Sequence, residues 1–238
     1  GTGSVEKALD DPKYEHFTVD NDPKRNPSLC ADILTLDPAE LHEKLLAVGF
    51  VMVSLIIACP PCETFSCAGG NTHRSAGTLE PNTEAAKVGM EILLKTLEII
   101  AFFAARYPAL RYAIENPRGK MRHVPELLGS RRATGNYCQY NKWRFWKASD
   151  WWTNFLLELL QCKGKEQMKA CHHEKSKDGG GIRGMGPSKI DAKYAMPVDL
   201  IRSIADQAMK AAPDPFDPLQ FEPRYEVHAI QYYLGWFT

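Results

Sequence analysis

The sequence lacks any hydrophobic run that approaches the roughly 18 residues needed to span a membrane. Its first residues also lack the charged-then-apolar pattern of a secretory signal peptide. There is no excess charge of either sign, because 29 lysines and arginines balance 29 aspartates and glutamates. These absences predict a soluble protein with no membrane partner, in which any surface that binds nucleic acid is local.

The cysteines do not resemble those of a disulfide-stabilised scaffold. The chain has seven, an odd number at uneven intervals, which is typical of reduced thiols inside cells. We therefore expect an intracellular protein, in the cytoplasm of a bacterial or phage-infected cell or in a eukaryotic nucleus. A zinc site is a weaker possibility, because its ligands would follow a non-standard Cys-x8-Cys-His-His spacing, and we expect no metal. Its ligands would be Cys162, Cys171, His172 and His173.

Alternating strand-like and helix-like segments predict the fold class. An apolar run over 50–58 indicates a buried parallel strand, and 110–114 indicates another. Helical spacing of apolar residues predicts a long amphipathic helix over 82–106 and shorter helices over 154–161 and 196–211. We expect an α/β fold with a doubly wound, mostly parallel Rossmann-like sheet and a small recognition lobe.

The length is enough for one large domain with a small appendage. Residues 1–154 are predicted to form the catalytic domain, and 155–190 a small insertion or target-recognition lobe. Residues 191–238 are predicted to return to the catalytic domain.

Chemically useful side chains follow both predicted strands. Cys62 ends the sequence Cys59-Pro60-Pro61-Cys62, which comes directly after the first strand, and Glu115 follows the second. Ligands of doubly wound sheets bind at the carboxyl ends of strands. A thiolate there can act as a nucleophile, and a shielded glutamate can donate a proton. Either residue alone is more typical of a structural thiol or a turn, so the interpretation depends on the pair.

The N-terminal segment has the pattern of a nucleotide-binding turn. Its glycines, in Gly1-Thr2-Gly3-Ser4-Val5, permit positive φ and close approach of a ligand. Asp20 lies near the roughly 20-residue offset at which such folds place an acid that binds ribose. Asp32 offers a further acid in a short turn.

Basic and aromatic residues are interleaved between positions 118 and 147, where Glu126 is the counter-charge. This mixture suits a groove that holds unpaired nucleotides, although a solvated basic loop beside core aromatics explains it equally well. We call these residues the basic strip: Arg118, Lys120, Arg122, Arg131, Arg132, Lys142, Arg144 and Lys147, with Tyr140, Trp143, Phe145 and Trp146.

In this order and spacing, the segments resemble the cytosine-C5 DNA methyltransferases, in particular the compact phage-type DNA cytosine methylases. The segment 58–66, Ala-Cys-Pro-Pro-Cys-Glu-Thr-Phe-Ser, is similar to the family's Pro-Cys nucleophile loop, and Ile114-Glu115-Asn116-Pro117 to its Glu-Asn motif. The N-terminal turn, 19–22 and 31–33 are similar to the family's cofactor segments. Residues 138–154 resemble its basic motif, and 193–198 its last cofactor-side motif.

The resemblance implies methyl transfer from S-adenosylmethionine to C5 of a cytosine flipped out of DNA. Cys62 would add to C6, Glu115 would act at N3, and Arg144 and Lys147 would contact the flipped base and nearby backbone. The implied cofactor-binding residues are Gly1, Thr2, Gly3, Ser4, Val5, Asp20, Asn21, Asp32, Ile33, Pro60 and Ala195.

The chain departs from the family pattern in several places. Glu63 stands where many relatives have glutamine, the basic motif has a single arginine plus a lysine, and Lys193-Tyr194 replaces a Gly-Asn pair. The strand that should precede the glycine turn is missing, and the apolar segment 229–238 has its character. We hypothesise that 229–238 supplies that first strand, through circular permutation, processing or a neighbouring copy; truncation, with 229–238 as an ordinary strand, is the equal alternative.

Two other functions remain open at this stage. The same chemistry on tRNA fits the basic strip as well, because a local basic surface serves either nucleic acid. A catalytically silent homologue that regulates through nucleic acid or a partner enzyme fits the altered basic motif, although the presence of both Cys62 and Glu115 argues against it.

Overall fold

A computed structural model describes residues 3–67, 71–76, 79–141, 147–162 and 195–212, and all structural statements concern these residues. The helices are α1 (Ser4–Leu9), α2 (Pro38–Ala47), α3 (Glu84–Arg106) and α4 (Val198–Lys210). The strands are β1 (Val19–Asp20), β2 (Leu29–Cys30), β3 (Leu55–Ala58), β4 (Arg111–Pro117), β5 (Arg131–Asn136) and β6 (Ala148–Thr153). None of these helices combines the length and the apolar character that crossing a bilayer demands.

The strands form two sheets of different composition. Strands β1 and β2 form a two-stranded parallel sheet, with Val19 opposite Leu29. The larger sheet has four strands in the order β3-β4-β6-β5. Strand β3 is parallel to β4, with Ala58 opposite Ile114, whereas β6 is antiparallel to both β4 and β5. The fold is therefore a mixed α/β fold that contains both parallel and antiparallel strands.

Helices cover both faces of the larger sheet, and alternate strand residues point to each face. On one face Ala113 and Trp151 pack in a core with residues of α1 and α4, such as Ala8 and Leu200. On the other face the intervening residues pack against α3 in a second core. That core includes Tyr112, Ile114, Trp152, Leu93, Leu97 and Ile100.

Helix α3 forms where its apolar periodicity predicts a helix. The Thr83 side chain accepts a hydrogen bond from the Ala86 N–H, which caps the first turn. Buried positions then recur every three or four residues through Leu93, Leu97 and Ile100, so one stripe of the helix faces the sheet. The predicted helix over 82–106 is confirmed within two residues, as is α4 for the prediction over 196–211.

Two predictions about secondary structure need correction. The parallel strand predicted over 50–58 is confirmed only for Leu55–Ala58, where it is half-buried, and the first part of the apolar run is exposed, Val51 at 84%. The segment 154–161 is not helical. Its side chains alternate, with Phe155 and Leu157 buried and Leu156 and Leu160 exposed, a two-residue period that belongs to extended chain. The start of the predicted lobe thus packs in the core of the larger sheet, whereas 163–190 and 229–238 lie outside the described residues.

Candidate active site

The loop that follows β3 presents Cys62 at the carboxyl end of the strand. Its first proline, Pro60, is buried, and the Cys62 side chain is half-buried. The Cys62 carbonyl accepts hydrogen bonds from the N–H groups of Phe65 and Ser66, at 3.1 and 2.8 Å. The chain therefore turns tightly after the cysteine, and we call residues 59–67 the nucleophile loop.

Hydrogen bonds connect the nucleophile loop to the end of β4 and to the segment that follows it. The Asn116 Nδ2 donates to the Pro60 carbonyl at 3.1 Å, and the Lys120 N–H donates to the Phe65 carbonyl at 2.7 Å. At Gly119 an added Cβ would collide with that same Phe65 carbonyl, so the two backbones lie closer than any other residue would permit. The positions of Cys62 and of the β4 residues are therefore mechanically coupled.

A buried arginine holds the nucleophile loop from the other side. Arg74 is 2% exposed, and its Nε donates to the Thr64 carbonyl at 3.2 Å. Its Nη2 donates to the Ala86 carbonyl in α3 at 3.1 Å, and its guanidinium lies 4.0 Å from the centre of the Phe65 ring. Burial lowers the pKa of Arg74. Arg74 thus ties the loop to the start of α3.

Glu115 lies in β4 and is only 6% exposed. Its Oε1 accepts a hydrogen bond from the Tyr137 hydroxyl at 3.1 Å and a second, short one from the Ser149 hydroxyl. Ser149 is in β6, which pairs with β4, and Tyr137 comes directly after β5. Hydrogen-bond donors from two neighbouring elements thus satisfy one oxygen of a buried carboxylate.

The thiol of Cys62 is held in its neutral form. Burial raises the pKa of Cys62 to about 11, and the carboxylates of Glu63 and Glu115 act in the same direction. Lys147 opposes them and lowers the pKa. Glu115 and Lys147 thus both act on the Cys62 thiol, so the predicted nucleophile, the predicted acid and one predicted cation share an electrostatic environment.

Lys147 is unusually buried for a lysine, at 8% exposure. Its Nζ lies 4.5 Å from the centre of the Tyr137 ring, in the geometry of a cation–π contact. The Tyr137 N–H also donates to the Lys147 carbonyl at 2.9 Å. Tyr137 therefore contacts Lys147 through its ring and Glu115 through its hydroxyl; Arg144 lies outside the described residues.

The structure brings the N-terminal turn next to the segment before α4. Gly3 has a φ of 66°, the left-handed conformation that a glycine favours. The buried Ser4 hydroxyl accepts a hydrogen bond from the Met196 N–H at 3.0 Å, so Ser4 and Ala195 lie near each other. Val5 packs in the adjoining core. Gly1 and Thr2 lie outside the described residues.

The two predicted cofactor acids follow neighbouring parallel strands. Asp20 ends β1 and accepts the Asp22 N–H at 2.9 Å. Partial burial raises the pKa of Asp20, and the hydrogen bond from the Asp22 N–H lowers it. Asp32 comes just after β2 and accepts the Leu34 N–H at 3.0 Å. Parallel strands place both carboxylates at one edge of the small sheet, beside Asn21 and Ile33.

The two acids offer hydrogen-bond acceptors at adjacent strand ends, the kind of group that binds hydroxyl and amino donors. Among the described residues, an added Cβ at Gly3 would meet the Glu6 carboxylate, at 3.7 Å.

The described members of the basic strip differ in their surroundings. Arg122 forms a close ion pair with the fully buried Asp150, and its Nη2 donates to the Thr134 hydroxyl at 3.0 Å. Arg131 and Arg132 are exposed on β5. Tyr140 is buried and accepts the Leu160 N–H, which makes it a structural residue. Lys142, Trp143, Phe145 and Trp146 lie outside the described residues.

No cluster of potential metal ligands occurs in the described part of the chain. Cys162 belongs to that part, and its N–H donates to the Asn136 side chain at 2.9 Å. The other three residues of the zinc alternative lie outside it.

Sequence reasoning missed the residues that hold the site together. Tyr137, Ser149 and Arg74 were not identified, and Asn116 was read only as part of a motif. Their partners lie between 10 and 56 residues away along the chain. No local pattern reports such contacts. One signal could have pointed to Ser149. It lies two residues before Trp151, so both side chains face the same side of the sheet, which is also the side of Glu115.

Comparison with known proteins adds no family to these observations. A scan against protein-family models gave no match, and a search of curated proteins found no similar sequence.

Proposed function

We propose that the protein is an S-adenosylmethionine-dependent cytosine-C5 methyltransferase acting on DNA. The observation that carries the proposal is the coupling of Cys62 to Glu115. Cys62 follows β3 and Glu115 lies in the adjacent parallel strand β4, Glu115 acts electrostatically on the Cys62 thiol, and the Asn116 amide donates to the Pro60 carbonyl of the nucleophile loop. A nucleophilic sulfur and a carboxyl group in one place are what covalent activation of cytosine requires.

The arrangement of strands and helices supports the proposal. Cys62 follows β3, Glu115 lies near the carboxyl end of β4, and helices lie on both faces of the larger sheet. The small sheet shares a core with α2, α3 and β3, through residues such as Leu29, Phe103 and Ile56. We infer that the two sheets are parts of one doubly wound, Rossmann-like arrangement.

The proposed reaction uses the chain's own residues as follows. A cytosine is flipped from the duplex, because its C6 cannot be reached within the stack. The Cys62 sulfur forms a bond to C6 while Glu115 offers a proton or hydrogen bond at N3, and the electrons of the C5–C6 double bond become available at C5. After methyl transfer, the C5 proton passes to water, the double bond re-forms, and the Cys62–C6 bond breaks.

S-adenosylmethionine would supply an electrophilic methyl group on a positively charged sulfur. The residues proposed to hold it are the N-terminal turn with Ala195, the acids Asp20 and Asp32 with Asn21 and Ile33, and Pro60. Lys147 lowers the pKa of Cys62, and any further positive charge near the thiol would do the same. The reactive thiolate is therefore expected to form mainly once the pocket is filled.

A second candidate function is a catalytically silent homologue that binds nucleic acid as a regulator. The pKa of about 11 for Cys62 favours it, because a free-enzyme nucleophile is usually activated by a lowered pKa. A third candidate function is methylation of tRNA, in which the same site would act on RNA instead of DNA.

Covalent trapping separates these functions. Duplex DNA of random sequence that contains 5-fluorocytosine should form a stable protein–DNA adduct in the presence of S-adenosylmethionine, because the fluorine cannot leave as a proton does. Cys62→Ala should abolish the adduct, whereas Cys67→Ala, which changes an exposed cysteine of the same loop, should retain it. Absence of any adduct with the unmodified protein would refute DNA methylation. Faster transfer of labelled methyl groups to tRNA than to DNA would favour the RNA alternative.

A further inference from the structure

Tyr137 contacts both charged groups of the proposed site. It is fully buried, its hydroxyl donates to Glu115 Oε1 at 3.1 Å, and its ring centre lies 4.5 Å from the Lys147 ammonium. The hydroxyl and the ring are thus used separately, one for the anion and the other for the cation. Tyr137→Phe removes the contact with the anion and keeps the contact with the cation, so comparing it with Tyr137→Leu isolates the contribution of the ring.

The hydroxyl fixes the orientation of the Glu115 carboxylate. Both Tyr137 and Ser149 donate to Oε1, and in the described part of the chain we find no donor to Oε2. Burial raises the pKa of Tyr137 well above 10, so its hydroxyl keeps its proton and remains a donor throughout the working pH range. A carboxylate held through one oxygen presents the other in a defined direction.

The ring holds Lys147 where it acts on Cys62. A buried ammonium needs a stabilising partner, and the face of an aromatic ring provides one. Three charged groups influence the Cys62 thiol: Glu63 and Glu115 disfavour the thiolate, and Lys147 favours it. The location of the Lys147 charge therefore bears directly on the reactivity of Cys62.

We propose that Tyr137 is the positioning residue of the site: its hydroxyl, together with that of Ser149, aims Glu115 Oε2 at the base, and its ring keeps the Lys147 ammonium close to Cys62. The catalytic meaning of this arrangement rests on the proposed function. The arrangement itself can be tested without any methylation.

The first test measures alkylation of Cys62 by iodoacetamide across pH, with peptide mass spectrometry to isolate this cysteine from the others. Tyr137→Phe keeps the ring, whereas Tyr137→Leu removes it. At about pH 8 we expect the Leu variant to react at least about threefold more slowly than the Phe variant, because a nearby positive charge stabilises a thiolate. Equal rates in the two variants would overturn the role of the ring.

Lys147→Gln gives an independent test in case the Leu variant misfolds, because it removes the positive charge and keeps the tyrosine. It should slow alkylation as much as Tyr137→Leu does, and the double variant should be no slower than either single one, because both remove the same interaction. Additive losses would show that Tyr137 does not act through Lys147.

The second test measures adduct formation on fluorocytosine DNA. Tyr137→Phe and Ser149→Ala should each lower the maximal trapping rate about tenfold with little change in the DNA concentration at half-saturation, because each loses a hydrogen bond that orients a reacting group. Tyr140→Phe is the matched control, since its buried hydroxyl bonds the Leu160 N–H instead. Unchanged trapping in both test variants would overturn the role of the hydroxyls.

Failure of the proposed function and failure of the inference about Tyr137 can be distinguished. If the unmodified protein forms no adduct, the proposed function is wrong, and alkylation alone then decides whether Tyr137 positions Lys147. If the unmodified protein is trapped and neither Tyr137 variant differs from it in trapping or alkylation, the inference is wrong and the proposed function stands.

Discussion

Replacing Glu63 by glutamine should make Cys62 more reactive. Glu63 is the exposed neighbour of the nucleophile, and its carboxylate raises the pKa of Cys62. Glutamine is nearly isosteric and uncharged, so the substitution removes the charge and keeps the shape of the turn. It also introduces the glutamine that many members of the family that the sequence resembles have at this position.

The expected magnitude follows from the charge state of the thiol. With the Cys62 pKa at about 11, only about one molecule in a thousand carries a thiolate at about pH 8. An exposed unit charge a few ångströms away is worth about 1 kcal/mol in water. Removing it should increase the thiolate fraction about fivefold, because about 1.4 kcal/mol corresponds to a tenfold change.

Alkylation of Cys62 by iodoacetamide provides the assay. In the unmodified protein the rate should rise about tenfold per pH unit up to the pKa, because only the thiolate reacts. Glu63→Gln should displace this profile towards lower pH and raise the rate at about pH 8 by about fivefold. Glu43→Gln, on the exposed side of α2, is the control and should leave the profile unchanged. A Glu63→Gln profile identical to that of the unmodified protein, or one displaced to higher pH, would refute the electrostatic account of this site.

Four further substitutions, one of them a surface control, test the fold around the site. Arg122→Gln should destabilise the protein by about 3 kcal/mol in denaturant unfolding, because it leaves the fully buried Asp150 without its ion partner; a loss below about 1 kcal/mol would mean that the pair contributes little. Leu97→Ala, fully buried between α3 and the sheet, should cost about 2–5 kcal/mol, whereas Leu128→Ala, 68% exposed, should cost under about 0.5 kcal/mol. Gly119→Ala should push the nucleophile loop away from β4 and reduce fluorocytosine trapping by at least about tenfold, at a stability cost of about 1–3 kcal/mol; full trapping activity would show that the close backbone approach is not needed.

Helices could be predicted where a single periodicity dominates. Helix α3 has a three-to-four-residue apolar repeat over its whole length and a threonine cap, so its local signals agree. The segment 154–161 has leucines at both helical and alternating spacing, and only its packing on the sheet selects the extended form. The same limit applies to the antiparallel direction of β6, which no residue in that strand encodes by itself.

For the candidate site, the sequence indicated the two groups now proposed to react, but not the residues that hold them in place. Cys62 and Glu115 stand out because each follows a strand-like segment, and residues at strand ends converge at one edge of a parallel sheet. The Asn116 bond to the Pro60 carbonyl and the buried guanidinium of Arg74 depend on how loops meet in space. The calls on Gly1, Thr2 and Arg144 stay predictions, since these residues lie outside the described part of the chain.

The sequence by itself determined which ionisable side chains lie beyond or near the carboxyl ends of strands, because residue type and hydrophobic period are local properties of the chain. Only the tertiary structure decided the charge state of Cys62 and the orientation of Glu115. Burial, the opposing influences of Glu63 and Lys147, and the hydroxyls of Tyr137 and Ser149 act through distance and exclusion of water, and these exist only once remote segments have packed together.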